Sequence, residues 1–157
     1  MKKKLLTVVA LIALVMVPTF AKSSDMSVGL ALGTINGVGF KYNVDKDITV
    51  GGTLGFDLIG GTLNAEGFGL YNVTEVQVDK LDFDINAGAG ASLNVPLSGG
   101  AFSLSLLGMA EASYSFDSKD YPIDLLLRLE PGLGMTFSSG VDFAFVMQAS
   151  VQALWRL

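Results

Sequence analysis

The chain has 157 residues, which suits one domain; half of them are hydrophobic and only 16% are charged. It contains no histidine and no cysteine. A Ser-His-Asp or Cys-His nucleophile, a zinc site built on either residue, a disulfide scaffold and a lipid anchor on cysteine are therefore excluded. The sequence indicates no catalytic residues, no cofactor and no metal site, so we do not expect an enzyme.

The first 21 residues have the pattern of a secretory signal peptide. Lys2 to Lys4 form a positively charged start, Leu5 to Val17 form an apolar core, and the break that follows ends in the small residue Ala21. The apolar core is well short of the about 20 residues that a membrane-spanning helix needs. We predict cleavage after Ala21, export from the cytoplasm and a mature domain of residues 22–157.

Removal of this segment leaves a strongly acidic chain. Seven basic residues remain against fifteen acidic ones, which gives a net charge of −8. Phosphate binding requires a clustered basic surface, so nucleic acid is not expected as a partner.

Apolar residues after Lys22 fall on alternate positions, which is the period of β-strands. The alternation is clearest in the last segment, whose apolar face is Val141, Phe143, Phe145, Met147, Ala149, Val151, Ala153, Trp155 and Leu157. The same period predicts strands over Leu81–Leu93, Phe102–Phe116 and Ile123–Phe137, and shorter ones over Met26–Thr34, Val38–Val44, Ile48–Leu58 and Leu63–Val73. Seven turn signals separate these eight strands.

The fourth predicted strand is the one whose two faces are hard to assign. Glu66 shares its parity with Phe68 and Leu70, which suggests a bulge in this strand.

Aromatic residues are predicted to form two belts at the strand ends, as in membrane barrels. One belt would contain Tyr42, Phe83, Tyr114, Phe116, Tyr121 and Trp155, and the other Phe56, Phe68, Phe102, Phe137 and Phe143.

The two faces of the predicted strands differ in a way that favours a membrane protein. One face is continuously apolar, whereas the other is rich in Gly and Ser. A soluble β protein turns a polar face to water, but a membrane barrel is apolar outside and mixed inside. We therefore predict an all-β fold: an eight-stranded antiparallel up-and-down transmembrane β-barrel in a bacterial outer membrane.

The chain from Met26 to Leu157 resembles the small outer-membrane barrels of the OmpA and OmpX type. The last strand carries the resemblance, through the alternate hydrophobic residues Val151, Ala153, Trp155 and Leu157. Barrels of this type usually end in Phe, where this chain has Leu157, and the assembly machinery reads that ending. The resemblance implies outer-membrane lipid, the barrel assembly machinery and periplasmic chaperones as partners. It implies no activity.

Hairpin geometry predicts a charge cluster inside the barrel. A turn centred between Lys119 and Asp120 places Glu111 opposite Arg128 on the inward face, and Glu130 adds a second carboxylate. A charge in a narrow lumen persists only when it is paired and hydrogen-bonded. We expect Glu111, Arg128 and Glu130 to plug the lumen and to hold the hairpin in register.

Three functions remain open from the sequence. The first is a structural or membrane-organising barrel without catalytic chemistry. The second is a narrow, porin-like pore for ions or small solutes, since many inward positions are Gly or Ala. The third is a soluble periplasmic lipocalin-like binder of an apolar ligand. Adhesion is disfavoured, because the predicted outer loops are short and carry no aromatic or basic cluster.

Overall fold

The computed structural model describes residues 25–57, 61–116 and 121–157. The predicted signal peptide and its cleavage after Ala21 lie outside the described residues. Eight β-strands are described: β1 Met26–Gly33, β2 Gly37–Asn43, β3 Ile48–Asp57, β4 Thr62–Val78, β5 Leu81–Pro96, β6 Phe102–Ser115, β7 Ile123–Phe137 and β8 Val141–Arg156. Within the described ranges, no helix is long and apolar enough to cross a bilayer.

Each strand pairs antiparallel with the next along the chain, and β8 pairs with β1, so the sheet closes into a barrel. Closure gives hydrogen-bond partners to the backbone N–H and C=O groups that the edge strands of an open sheet would leave unpaired. Short turns make this up-and-down order possible: the Asp45 carboxylate accepts hydrogen bonds from the N–H groups of Asp47 and Ile48, both at 2.8 Å. The predicted eight-stranded antiparallel barrel is confirmed.

The register of the strand pairs sets the tilt of the barrel wall. When the paired residues are followed from Ala31 once around the barrel, through β2 to β7, the path arrives on β8 at Asp142. Ala31 itself pairs with Gln152 on β8, so one circuit of the wall shifts the register by ten residues. Such a stagger goes with strands inclined by about 35–45° to the barrel axis. An eight-stranded wall of this kind encloses a lumen that side chains can fill.

Alternate side chains point to opposite sides of the wall, and the two sides differ in exposure. Phe145 and Leu127 on the outside are 73% and 53% exposed, whereas the lumenal side chains of Leu126 and Leu154 are 2% and 0% exposed. A small apolar cluster fills part of the lumen and consists of Phe68, Leu70, Leu107 and Met109. The larger apolar surface is therefore the outer wall, which is the reverse of a soluble protein.

β4 differs from its prediction. It extends to Val78, and Glu66, Phe68 and Leu70 all point into the lumen. The alternation of inward and outward side chains in β4 is regular around Glu66. The bulge lies further along, at Val73, where the pairing with β5 shifts by one residue.

Aromatic side chains gather near both ends of the wall. Tyr114 packs against Phe83 and Phe116, with ring centroids 5.5 and 4.8 Å apart, and Phe102 stacks on Phe137 at 4.7 Å on the other side. The prediction for Phe68 is wrong, because its ring is 7% exposed and lies in the lumen. Room for that ring comes from the absence of a side chain at Gly51 on the neighbouring strand β3, where an added carbon would lie 2.6 Å from the ring carbon Cζ.

The two ends of the barrel are uneven. At the end where β1 begins and β8 ends, here called the terminal end, the β4–β5 hairpin extends beyond its neighbours, since β3 pairs with β4 only as far as Tyr71 and β6 pairs with β5 only as far as Asp84. At the opposite end the β7–β8 hairpin rises beyond β1, whose pairing with β8 stops at Ser150. There β6 stays paired with β7 up to Phe102–Phe137, so the β7–β8 hairpin extends beyond only one of its two neighbours, unlike the β4–β5 hairpin.

Candidate functional site: the lumenal charge cluster

Four strands place charged side chains inside the barrel. Lys41 comes from β2, Glu66 from β4, Glu111 from β6, and Arg128 and Glu130 from β7. Each occupies one of the alternate positions of its strand whose side chains point into the lumen. Arg128 is 0% exposed, and the three carboxylic residues are 2 to 8% exposed. These five residues are called the lumenal charge cluster below.

Glu111 is the most completely paired member of the cluster. It lies opposite Arg128 in the β6–β7 ladder. Arg128 donates to Glu111 Oε2 from Nη2 at 2.6 Å and from Nε at 3.0 Å. Lys41 Nζ donates to Oε1 at 2.8 Å, and the Asn86 amide donates to the same oxygen at 3.2 Å. Two cations therefore neutralise one carboxylate, and both of its oxygens accept hydrogen bonds.

The other side of the Arg128 guanidinium faces two carboxylates. Nη1 donates to Glu66 Oε1 at 3.2 Å, while Glu130 Oε1 lies 3.6 Å from the same nitrogen. The second distance is too long for a hydrogen bond, and Glu130 Oε1 has no hydrogen-bond partner. The guanidinium carbon lies 3.8 Å from the centroid of the Phe68 ring, which is a cation–π contact. Glu66 and Glu130 thus both lie at the Nη1 end of the Arg128 guanidinium, and the Phe68 ring lies against its flat face.

The cluster ties together strands that are not neighbours. Arg128 on β7 binds Glu66 on β4, and Glu111 on β6 binds Lys41 on β2, so the contacts cross the lumen. Charges buried in this way are stable only while they stay paired, and removing one partner leaves an uncompensated charge. The arrangement can therefore hold the wall together and close the lumen at this level.

Sequence reasoning found part of this cluster. It placed Glu111, Arg128 and Glu130 on one hairpin, and the structure brings these three side chains together. It missed Lys41 and Glu66, which lie on strands that do not adjoin β6 or β7. Alternation alone puts Lys41 inward, between the outward Phe40 and Tyr42, but the stagger of the whole barrel decides which residue it meets across the lumen.

A cavity of about 360 Å³ opens at the terminal end. Its lining is polar and includes Ser27, Lys41, Asp84, Asn86, Ser113 and Asp124. Because Lys41 and Asn86 both contact Glu111, the cavity reaches the lumenal charge cluster. Among the residues that the structure describes, no group of acidic side chains is arranged to hold a metal ion.

The predicted assembly signal lies on the strand that closes the barrel. Val151, Ala153, Trp155 and Leu157 face outward, and the Val151, Trp155 and Leu157 side chains are 55, 44 and 51% exposed. Trp155 pairs with Val28 on β1 and with Ile123 on β7. The Leu157 N–H donates to the Met26 carbonyl at 2.9 Å. The same residues thus form the seam between the first and last strands.

A closed eight-stranded sheet with an apolar outer wall and a buried ionic lumen defines a small transmembrane β-barrel. Residues 7–156 match the family described as outer membrane protein beta-barrel domain, and the chain belongs to this family. No curated protein and no solved structure matches the chain significantly. The family assignment confirms the predicted outer-membrane β-barrel.

Proposed function

We propose that this outer-membrane barrel has a structural, membrane-organising role without catalytic chemistry, and that its terminal end faces the periplasm. The observation that carries the proposal is the lumenal charge cluster, in which Arg128 is fully buried and bound to carboxylates from two other strands. A lumen closed by such a cluster favours a rigid wall over a passage. An even strand number brings both ends of the strand order to one side of the membrane.

The packing around the cluster supports the same role. A side-chain carbon added at Gly90 would lie 2.5 Å from Met109 Cε, and one added at Gly132 would lie 2.9 Å from a Leu107 methyl carbon. The space in front of these inward glycines is thus filled by side chains of neighbouring strands. They do not line an open channel at this level.

Planar-bilayer recording of refolded protein tests the structural role. We expect the wild-type barrel to give no stable conductance steps, because the cluster blocks the lumen. The double variant Glu111→Ala with Arg128→Ala serves as the control for an opened lumen, after heat-modifiable gel mobility has verified that it is folded. Regular conductance steps in the wild-type protein would overturn the structural role.

A narrow pore for ions or small solutes is the second candidate. The cavity of about 360 Å³ supports it, because water can reach Lys41 and Asn86 from the terminal end. The lumenal charge cluster, and the part of the lumen beyond it that side chains fill, then form the barrier between the two sides of the membrane. The same recordings decide between the two roles, since a pore requires conductance in the wild-type protein.

The partners follow from the proposed location. Outer-membrane lipid covers the apolar wall, and the barrel assembly machinery with periplasmic chaperones would deliver the chain. The soluble lipocalin-like alternative is not retained, because it requires a polar outer wall, and Phe143, Phe145 and Met147 are 60 to 73% exposed. Membrane fractionation tests this point: we expect extraction only with detergent, whereas release with the soluble fraction would contradict the membrane location.

A further inference from the structure

The β4–β5 hairpin forms a two-stranded ribbon beyond the rim at the terminal end. β4 makes its last pair with β3 at Tyr71, and β5 makes its last pair with β6 at Asp84, so the free part of the ribbon runs from the pair Val76–Phe83 to the pair Val78–Leu81. At about 3.3 Å per residue, these three pairs project by roughly 10 Å along the direction of the ribbon. Asp79, with a φ of 56°, makes the tight turn at its tip.

The ribbon has one apolar face and one polar face. Val76 pairs with Phe83 and Val78 pairs with Leu81, and these four side chains continue the outward parity of β5. Val76, Val78 and Leu81 are 42, 55 and 44% exposed. The opposite face is polar and mostly acidic, and consists of Glu75, Gln77, Asp82 and Asp84.

Neither water nor hydrocarbon suits this ribbon. A two-stranded hairpin with an exposed apolar face is marginal in water. In the hydrocarbon, the N–H and C=O groups along its two unpaired edges would lack partners. The interfacial layer of a leaflet satisfies both requirements, because water and headgroups bond the edges while the acyl boundary covers the apolar face.

The base of the ribbon already lies among the aromatic residues that mark such an interface. The Phe83 ring packs on Tyr114 at 5.5 Å, and Tyr114 packs on Phe116 at 4.8 Å. Aromatic girdles of membrane barrels occupy the headgroup level. A ribbon that continues outward from this girdle, with its apolar face in line with the lipid-facing wall, enters the interfacial layer.

We propose that the outward face of this ribbon, formed by Val76, Val78, Leu81 and Phe83, binds the interfacial lipid of the leaflet at the terminal end. The partner is the lipid surface itself, because the ribbon's apolar face is continuous with the wall that lipid already covers. Its acidic face is turned away from the lipid, toward the mouth of the cavity. The ribbon thus anchors one side of the barrel to one leaflet.

Tryptophan fluorescence in lipid vesicles tests this proposal. The chain has one tryptophan, Trp155, so the background is Trp155→Phe and the two reporters are Val78→Trp and Gln77→Trp. The reporters are adjacent in sequence but face opposite sides of the ribbon. Protein is refolded into phosphatidylcholine vesicles with bromine atoms either near the carbonyl end or near the end of the acyl chain, and acrylamide serves as the aqueous quencher.

We expect bromine near the carbonyl end to quench the Val78→Trp reporter at least about two-fold more than the Gln77→Trp reporter, with the opposite order for acrylamide. Equal access of acrylamide to both reporters would overturn the proposal and indicate a face that meets water or a protein. Stronger quenching of Val78→Trp by bromine at the chain end would also overturn it, since the ribbon would then lie in the hydrocarbon. Heat-modifiable mobility verifies folding, and Leu81→Trp with Asp82→Trp provides a second matched pair.

Discussion

At the scale of single residues, the three lumenal carboxylates hold different positions around the same arginine. Glu111 accepts hydrogen bonds from Arg128, Lys41 and Asn86. Glu66 accepts one from Arg128, and Glu130 Oε1 approaches that arginine without forming a hydrogen bond. Three carboxylates face two cations, so their contributions to stability should differ.

The first prediction compares Glu111→Gln with Glu130→Gln. Loss of the Glu111 charge leaves Lys41 and part of Arg128 uncompensated in the lumen, so the free energy of unfolding should fall by about 3–5 kcal/mol. Glu130→Gln should have a much smaller effect, because Glu66 continues to neutralise Arg128. Urea unfolding of both variants in lipid vesicles measures the difference. Equal destabilisation would contradict the unequal roles of the two carboxylates.

The second prediction concerns rescue of Glu111→Gln. Lys41→Met in that background removes the cation that the first change leaves without a carboxylate, so part of the lost stability should return. Arg128→Met in the same background should not rescue, since it leaves Glu66 and Glu130 without a cation. The same unfolding experiment measures both double variants. A better rescue by Arg128→Met would mean that Lys41 does not depend on Glu111.

At the scale of elements, each strand of the barrel wall must suit lipid on one face and a filled lumen on the other. β4 and β5 show this with glycines on both faces. A carbon added at Gly90 would lie 2.6 Å from the Gly67 carbonyl oxygen, whereas one added at Gly67 would have no atom within 4 Å. In β4 and β5, glycine is thus required by packing on the lumenal face and not on the outer face.

The third prediction follows from this pair of glycines. Gly90→Ala forces the backbone of β4 and the Met109 side chain to shift, so it should destabilise the barrel by about 1–3 kcal/mol. Gly67→Ala adds a methyl group to the outer wall and should change stability by no more than about 0.5 kcal/mol. The denaturant midpoint of each variant gives the answer. Similar effects at the two sites would contradict the lumenal packing at Gly90.

The fourth prediction uses the two faces of β8. Ala149 is exposed on the outer wall, and Gln148 is 7% exposed in the lumen, where its amide donates to the Ser92 hydroxyl at 3.2 Å. Arginine on the lipid face costs about 2–4 kcal/mol near mid-membrane. Ala149→Arg should therefore reduce the folded, heat-modifiable fraction more than Gln148→Arg, whose new charge lies opposite Glu130. The reverse order on a gel would contradict the face assignment of β8.

At the scale of the whole molecule, closure depends on a short seam. β1 pairs with β8 only from Ser27–Arg156 to Gly33–Ser150, and beyond Gly33 the Thr34 N–H adds a bond to the Ala149 carbonyl at 2.9 Å. The end of the chain thus supplies both the seam and the predicted assembly signal. An incomplete seam would leave open strand edges, which lipid does not tolerate.

The fifth prediction tests this end of the chain in cells. Deletion of Trp155 to Leu157 should leave the protein unassembled in the periplasm, with most of the heat-modifiable form lost. Leu157→Phe is the matched control: it supplies the terminal aromatic residue usual in such barrels, and assembly should equal or exceed that of the wild type. Normal outer-membrane levels of the deletion variant would argue against both a signal and a required seam here.

The sequence by itself determined the strand count, the two faces of most strands and the membrane environment. Alternation is a local property: inward and outward positions follow from the two-residue period of an extended chain. The contact between Glu111 and Arg128 was predictable for the same reason, because a short turn fixes the register of neighbouring strands. The sequence-based prediction of an eight-stranded barrel therefore needed no long-range information.

Only the tertiary structure decided which residues meet across the lumen. Lys41 reaches Glu111 from β2, Glu66 reaches Arg128 from β4, and the Phe68 ring lies against Arg128 although its sequence position suggested the aromatic belt. These contacts depend on the stagger accumulated over the whole closed sheet, which no single hairpin specifies. The position of the bulge at Val73, and with it the face of the projecting ribbon, depends likewise on pairing with β5. Local periodicity fixes a face, and closure of the barrel fixes the partner.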